Sequence, residues 1–220
     1  MRWLWAALLA PLPWSVKRRL GTWLYGWDVH PTAYVGRSIV MVGKLTMGPK
    51  ASIAGFNIIR DLAELRLDEG ASIASRNRIT GWPLKLPPFD SENRNPSLIM
   101  GKRSAITMAH EIDCSDLVEM GEFSSLAGFS STILTHSLDL VRDRWRTAPV
   151  TIGAHSAVMT GSILLSGTSV PARSIISAGS VVNTQLTKEL MFYRGNPAEP
   201  VRELKDDMKF FHRTGPMGLQ

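Results

Sequence analysis

The chain has 220 residues, 44% hydrophobic and 20% charged, with a net charge of +6 and one cysteine, Cys114. Such a length and balance describe one globular domain with a real core. A single cysteine excludes an intrachain disulfide framework and the multi-cysteine zinc patterns, and it suits a reducing compartment.

The basic excess favours an anionic partner: nucleic acid, anionic lipid or a phosphate-bearing cofactor. The sequence has no basic stripe interleaved with aromatics, no recognition-helix pattern and no zinc-finger spacing, so nucleic acid is set aside.

Residues 1–28 form an amphipathic, Trp- and Arg-rich segment holding five of the seven tryptophans. Pro11 and Pro13 interrupt its first apolar run after about ten residues, and a spanning helix needs about 20. One Arg before so short an apolar core is a weak match to a signal peptide. Beyond the prolines, Val16, Leu20, Trp23, Leu24 and Trp27 fall at helical spacing, with Lys17, Arg18 and Arg19 largely off that stripe. This segment either lies at a bilayer interface or covers the open end of the core.

From Val29 the period changes. Val29, Val35, Met41, Met47, Ile53 and Ile59 are six residues apart, with Ala33, Ile39, Leu45, Ala51 and Asn57 at a second repeat position. Leu67, Ile73 and Ile79 continue the series, as do Met100, Ile106 and Ile112, then Met120 and Leu126. Ile152, Val158, Leu164, Val170, Ile176 and Val182 complete it, each of the first five followed four residues later by Ser or Thr. A helix has no period of six and a single strand alternates with period two. Short strands joined by corners fit, each side sending one large apolar residue into a narrow core.

With three hexads per turn, triangular coils start near 29, 47, 67, 100, 120, 152 and 170. The excess over 18 residues always falls just before a new coil, so every insertion leaves from one corner. The two large ones are loops near 80–97 and 137–149, where function concentrates. The fold class is all-β: a parallel β-helix of about seven triangular coils over residues 29–192. Residues 193–220 form a C-terminal turn, a short helix and a tail.

The stretches THSLD at 135–139, VTIGAHS at 150–156, ISAGSVV at 176–182 and YRGNPAEPVREL at 193–204 resemble the hexapeptide-repeat acyltransferases. The likeness is closest to the branch of maltose, sugar and xenobiotic O-acetyltransferases, including those of surface-polysaccharide assembly. It implies a left-handed β-helix, a homotrimer with active sites between subunits, and acetyl-CoA as acyl donor without a metal. The family's catalytic histidine falls on His136, a general base suited to a hydroxyl nucleophile.

Asp139, Asp143, Glu111 or a main-chain carbonyl would orient His136; Asp139 stands nearest in sequence. The resemblance puts the backbone N–H of Thr160 at the oxyanion, with Gly161 beside it. It places Ala178 and Asn183 along the pantetheine arm and Arg202 at a phosphate. Arg194, before the GNPA turn, is a further candidate for phosphate. Two departures stand out: Ala157 where many relatives have Trp, and Glu199 where many have Lys or Arg. Trp82 and Asp90 in the first loop, together with His110, are candidate contacts to a sugar or lipid-linked saccharide.

His110, His136 and His155 fall at different coil phases, which argues against one shared metal. The expected function is O-acetylation of a sugar hydroxyl in polysaccharide or glycolipid assembly. The expected location is cytoplasmic, with residues 1–28 available for peripheral attachment at the inner face of the membrane. Its rivals are a catalytically silent scaffold or membrane-docked partner protein, and an antibiotic-modifying acetyltransferase.

Overall fold

A computed structural model describes residues 2–84, 89 and 93–215. Three parallel sheets, visited in strict rotation, form a triangular prism. The first face has seven strands, from Asp28–Val29 to Ser169–Val170, and the third has seven, from Ile39–Met41 to Val181–Val182. The second face has nine and ends with Met191–Arg194 and Glu199–Glu203. Three faces visited in order, with parallel pairing throughout up to Met191–Arg194, are a β-helix, here left-handed.

The coil register follows the hexads. Val29, Met47, Leu67, Met100, Met120, Ile152 and Val170 stack as successive partners on the first face. Val35, Ile53, Ile73, Ile106, Leu126, Val158 and Ile176 stack on the second. After Val29, each of these is at most 2% exposed. One such residue per strand fills the prism, because three inward side chains per coil occupy its narrow section.

The corners turn through left-handed backbone, including non-glycine residues such as Phe56, Ala109 and Ser130. Behind that corner runs a polar ladder. Asn57 N–H donates to Ser38 Oγ, Asn77 N–H to Asn57 Oδ1, and His110 N–H to Asn77 Oδ1, each at 2.9 Å. The ladder satisfies backbone donors that no strand can reach.

The structure corrects several expectations. In the first coil the third inward residue is Val40, paired with Ile59, and not Met41. The corner residue there is Ser38, not Ile39, because that side is one residue shorter. The 137–149 insertion is ordered: His136–Asp139 pairs antiparallel with Arg144–Thr147. Past the GNPA turn the chain forms strand Glu199–Glu203, antiparallel to Met191–Arg194, and not a helix. The pairing extends the second face beyond residue 192 and leaves only a 3-10 turn, Lys209–His212.

The N-terminal segment forms two helices, α1 (Arg2–Leu9) and α2 (Trp14–Tyr25), on the open end of the prism. Pro13 starts α2, and Gly26, in the left-handed conformation, ends it. Core contact is made by Ala6, Leu9, Gly21 and Trp27. A Cβ on Gly21 would lie 2.2 Å from Trp27 Cε3, so only glycine admits that indole. The expected apolar stripe is divided: Trp27 is buried, whereas Val16, Trp23 and Leu24 are exposed.

Candidate active site

His136 is the first residue of the hairpin that leaves the corner between third and first faces. Thr135 before it is fully buried in the coil wall, whereas the His136 side chain is 35% exposed. The imidazole thus stands on a rigid base and faces outward.

Its Nδ1 lies 2.7 Å from Oδ2 of Asp113, on the preceding coil. A carboxylate only accepts, so Nδ1 carries the proton and Nε2 keeps its lone pair. Asp113 is itself fixed. The Thr135 N–H and Oγ1 each lie 2.9 Å from Oδ2, and Ser115 Oγ donates to Oδ1 at 2.6 Å. Burial alone would raise the Asp113 carboxyl, but hydrogen bonds from His136, Ser115 and Thr135 outweigh it and hold the group below its usual range. The same hydrogen bond raises His136 above the ordinary histidine value, against a smaller opposing effect of burial.

Aromatic rings surround the imidazole. Phe89 lies 5.6 Å and Trp145 5.8 Å from it, centroid to centroid, and Trp82 lies 6.1 Å from Phe89. Buried Arg94 ties the first insertion to the wall. Its Nη1 donates to the carbonyls of Trp82 at 2.6 Å and Ser115 at 3.1 Å, and its guanidinium covers the Phe89 ring. Together the two insertions and the third face enclose a cleft of about 620 Å³. Its polar wall includes Arg60, Asp61, Arg78 and Glu111, with Arg78 and Glu111 paired at 3.3 Å.

Of the sequence candidates, His136, Trp82 and Glu111 line this cleft. Asp139 does not orient His136: its Oδ1 accepts the N–H groups of Val141 and Arg142 in the hairpin turn. Glu111 lies on the correct outer face, two residues short of Asp113. Asp90 lies outside the described residues.

His110 is not in the cleft. It is 2% exposed in the corner ladder, its Nδ1 accepts from Ser131 N–H at 3.1 Å, and its Nε2 bonds Thr107 Oγ1 at 2.9 Å. Burial lowers it to about 4, so it stays neutral and structural.

Thr160, Gly161 and Ala178 sit at the corner between second and third faces, where Gly179 N–H donates to Thr160 O. Asn183 follows strand Val181–Val182 at the corner from which His136 leaves, two coils on. About five residues of extended chain, roughly 16 Å, separate the two corners. One chain therefore does not bring Thr160 to His136. The Thr160 corner is open: a Cβ on Gly161 would meet nothing within 4 Å, and Ala178 is exposed. Arg194 and Arg202 lie on the C-terminal hairpin, both exposed, with Arg202 over the Phe192 ring at 5.2 Å. Among the described residues no group of three or more His, Cys, Asp or Glu could hold a metal ion.

Sequence reasoning did not single out Asp113, Trp145 or Arg94, whereas Phe89 lies in the loop expected to wall a cleft beside His136. For Asp113 the signal was present. Ile112 pairs with Ile133, which sets 113–115 beside 134–136 on the next coil.

Fold and site thus define a class: a parallel β-helix with a His–Asp pair in an aromatic cleft at its insertion corner. No family model matches the chain, and no curated protein matches it at a significant level. Among solved structures, the polysialic acid O-acetyltransferase OatWY superposes with a TM-score of 0.62 at 14% identity, over 80% of this chain and 84% of its own. A hexapeptide-repeat acetyltransferase of Vibrio cholerae O1 biovar eltor, solved with acetyl coenzyme A, gives 0.49 at 18% identity over 93% and 86%. The polysialic-acid-specific acetyltransferase NeuO gives 0.48 at 14% identity over 80% and 85%. At such identities the likeness to OatWY is one of fold: the chain has the left-handed β-helix architecture.

Proposed function

We propose that the chain is a hexapeptide-repeat acyltransferase that moves an acetyl group from acetyl-CoA to a saccharide hydroxyl. The observation that carries this reading is the Asp113–His136 hydrogen bond at the wall of the cleft, which in the neutral imidazole leaves Nε2 as the proton acceptor. A neutral hydroxyl must lose its proton as it attacks a thioester, and a positioned imidazole takes it, typically a 10²–10⁴-fold effect.

In the proposed step the acceptor oxygen bonds to the thioester carbonyl carbon while Nε2 takes the hydroxyl proton. Asp113 stabilises the resulting imidazolium. The tetrahedral intermediate then collapses, the carbon–sulfur bond breaks, and the imidazolium returns its proton to the leaving thiolate. Acetyl-CoA, when bound, supplies the activated acyl group.

Thr160 N–H is the proposed oxyanion donor, and it reaches His136 only from a second copy of the chain. The separation of the two corners therefore supports sites shared between subunits, and the assembly proposed is a homotrimer. Ala178, Gly161 and Asn183 would line the pantetheine, with Arg194 and Arg202 toward the phosphates. The rings of Trp82 and Trp145 suit the apolar face of a sugar, and the charged wall suits its hydroxyls.

An oriented base in a cleft of this size favours catalysis over a silent scaffold. The test is thiol release from acetyl-CoA by the purified full chain with a panel of saccharides. Turnover is expected with at least one hydroxyl acceptor, and His136→Ala should lower it roughly 10²–10⁴-fold while leaving the oligomer intact. Unchanged turnover in that variant, or acetylation of amines alone, overturns the reading.

A further inference from the structure

Helix α1 buries Ala6 and Leu9 and the ends of α2 pack Trp14 and Tyr25 on the core, yet both helices leave a second, larger apolar face outside, and the middle of α2 is inverted. Facing the prism, α2 presents Lys17, 1% exposed, and Gly21. Lys17 Nζ donates to the carbonyls of Ala10 at 2.8 Å and Gly36 at 2.6 Å, pinning the turn between the helices to the first coil. Facing away are Leu4, Trp5, Leu8, Val16 and Trp23, between 44% and 79% exposed. A helix that only capped a core in water would show the opposite order, apolar face in and polar face out.

Charge says what the outer face meets. The first acidic residue of the chain is Asp28, so both helices carry only positive side chains. Arg19 is exposed, and among the described residues the Arg18 guanidinium meets the Pro31 carbonyl, at 3.4 Å, and no carboxylate. Large apolar and indole side chains beside uncompensated arginines match an anionic bilayer surface: rings among the acyl chains, cations at the headgroups. With eight and twelve residues the helices extend about 12 and 18 Å, short of a hydrocarbon core of roughly 30 Å. No helix among the described residues is long and apolar enough to cross a membrane.

We propose that α1 and α2 seat the protein on an anionic membrane surface, with the β-helix axis rising from it. The cleft begins at Arg60, on the second coil, and reaches His136 on the fifth. At about 4.8 Å per coil, His136 stands roughly 19 Å above the first coil. If the acyltransferase reading holds, that spacing suits a saccharide carried on a membrane lipid.

Co-sedimentation of the full chain with phosphatidylcholine vesicles, with and without phosphatidylglycerol, tests the seating separately from any activity. Binding to the anionic vesicles is expected, weakening with salt. Leu8→Glu with Trp23→Glu, both at exposed positions, should weaken it about tenfold or more. In the unaltered chain, brominated acyl chains should quench tryptophan fluorescence. Binding to neither vesicle, or no quenching, overturns the proposal. So does undiminished binding by the double variant. Self-association through this face without vesicle binding also overturns it, and assigns the face to a second copy.

Discussion

Asp113 and His136 form one hydrogen-bonded unit across adjacent coils, Oδ2 to Nδ1 at 2.7 Å, although they stand 23 residues apart in the chain. Thr135 is fully buried, and both its N–H and its hydroxyl meet the same carboxylate. The wall that holds the base therefore also holds its partner. Asp113→Asn should lower kcat by up to about 10⁴-fold, with the KM for acetyl-CoA little changed. An unchanged kcat would remove Asp113 from the mechanism.

The pH profile follows from the same bond. The base works neutral, and the Asp113 hydrogen bond raises His136 above 6.5. The acid limb of kcat/KM should therefore lie above 6.5 and move to lower pH in Asp113→Asn. A purely structural role for Asp113 would leave the limb in place.

Stability responds over the same window. His136 is raised in the folded state, so its contribution is complete below about 6.5 and fades as pH rises through the folded value. Asp113 is lowered, so its contribution is present above about 3.8 and lost as pH falls through its folded value. The difference in denaturation midpoint between wild type and Asp113→Asn should be largest between those limits. A pH-independent difference would argue against the pair.

His110 should matter for stability and not for turnover. His110→Leu leaves the Ser131 N–H without its acceptor and should cost about 1–3 kcal/mol in denaturant unfolding. His110→Asn should recover most of that loss, because Asn57 and Asn77 fill the same corner on earlier coils. Loss of activity in a folded His110→Asn protein would return this residue to the site.

Gly21→Ala tests the helical cap. The new methyl would overlap the Trp27 indole, so stability should fall by about 1–3 kcal/mol, the usual cost of overpacking. Thermal unfolding reads this directly. An unchanged transition would mean that the helices are not seated on the prism.

Much of the architecture is legible in the residues because a coil is a local rule. Each side of the prism needs one large inward residue, so spacing along the chain becomes register across it. Met47, Leu67 and Met100 meet as counted even though a long insertion lies between the last two. The count slipped at Met41, where one side of the first coil is a residue short and Val40 takes the inward place. At the exit, Glu199–Glu203 became a strand because the second face offered the open edge of Met191–Arg194 to pair with.

The sequence alone determined the β-helix, the single corner from which insertions leave, and His136 at the root of one of them. Those depend on short-range spacing, which a linear chain records. The tertiary structure decided what His136 meets. It placed Asp113 rather than Asp139 on Nδ1, closed Phe89 and Trp145 around the ring, put His110 into the wall, and turned Trp23 outward. These depend on which coil lies beside which, and on which way an insertion folds back. Such neighbours are set by packing across the prism and not by distance along the chain.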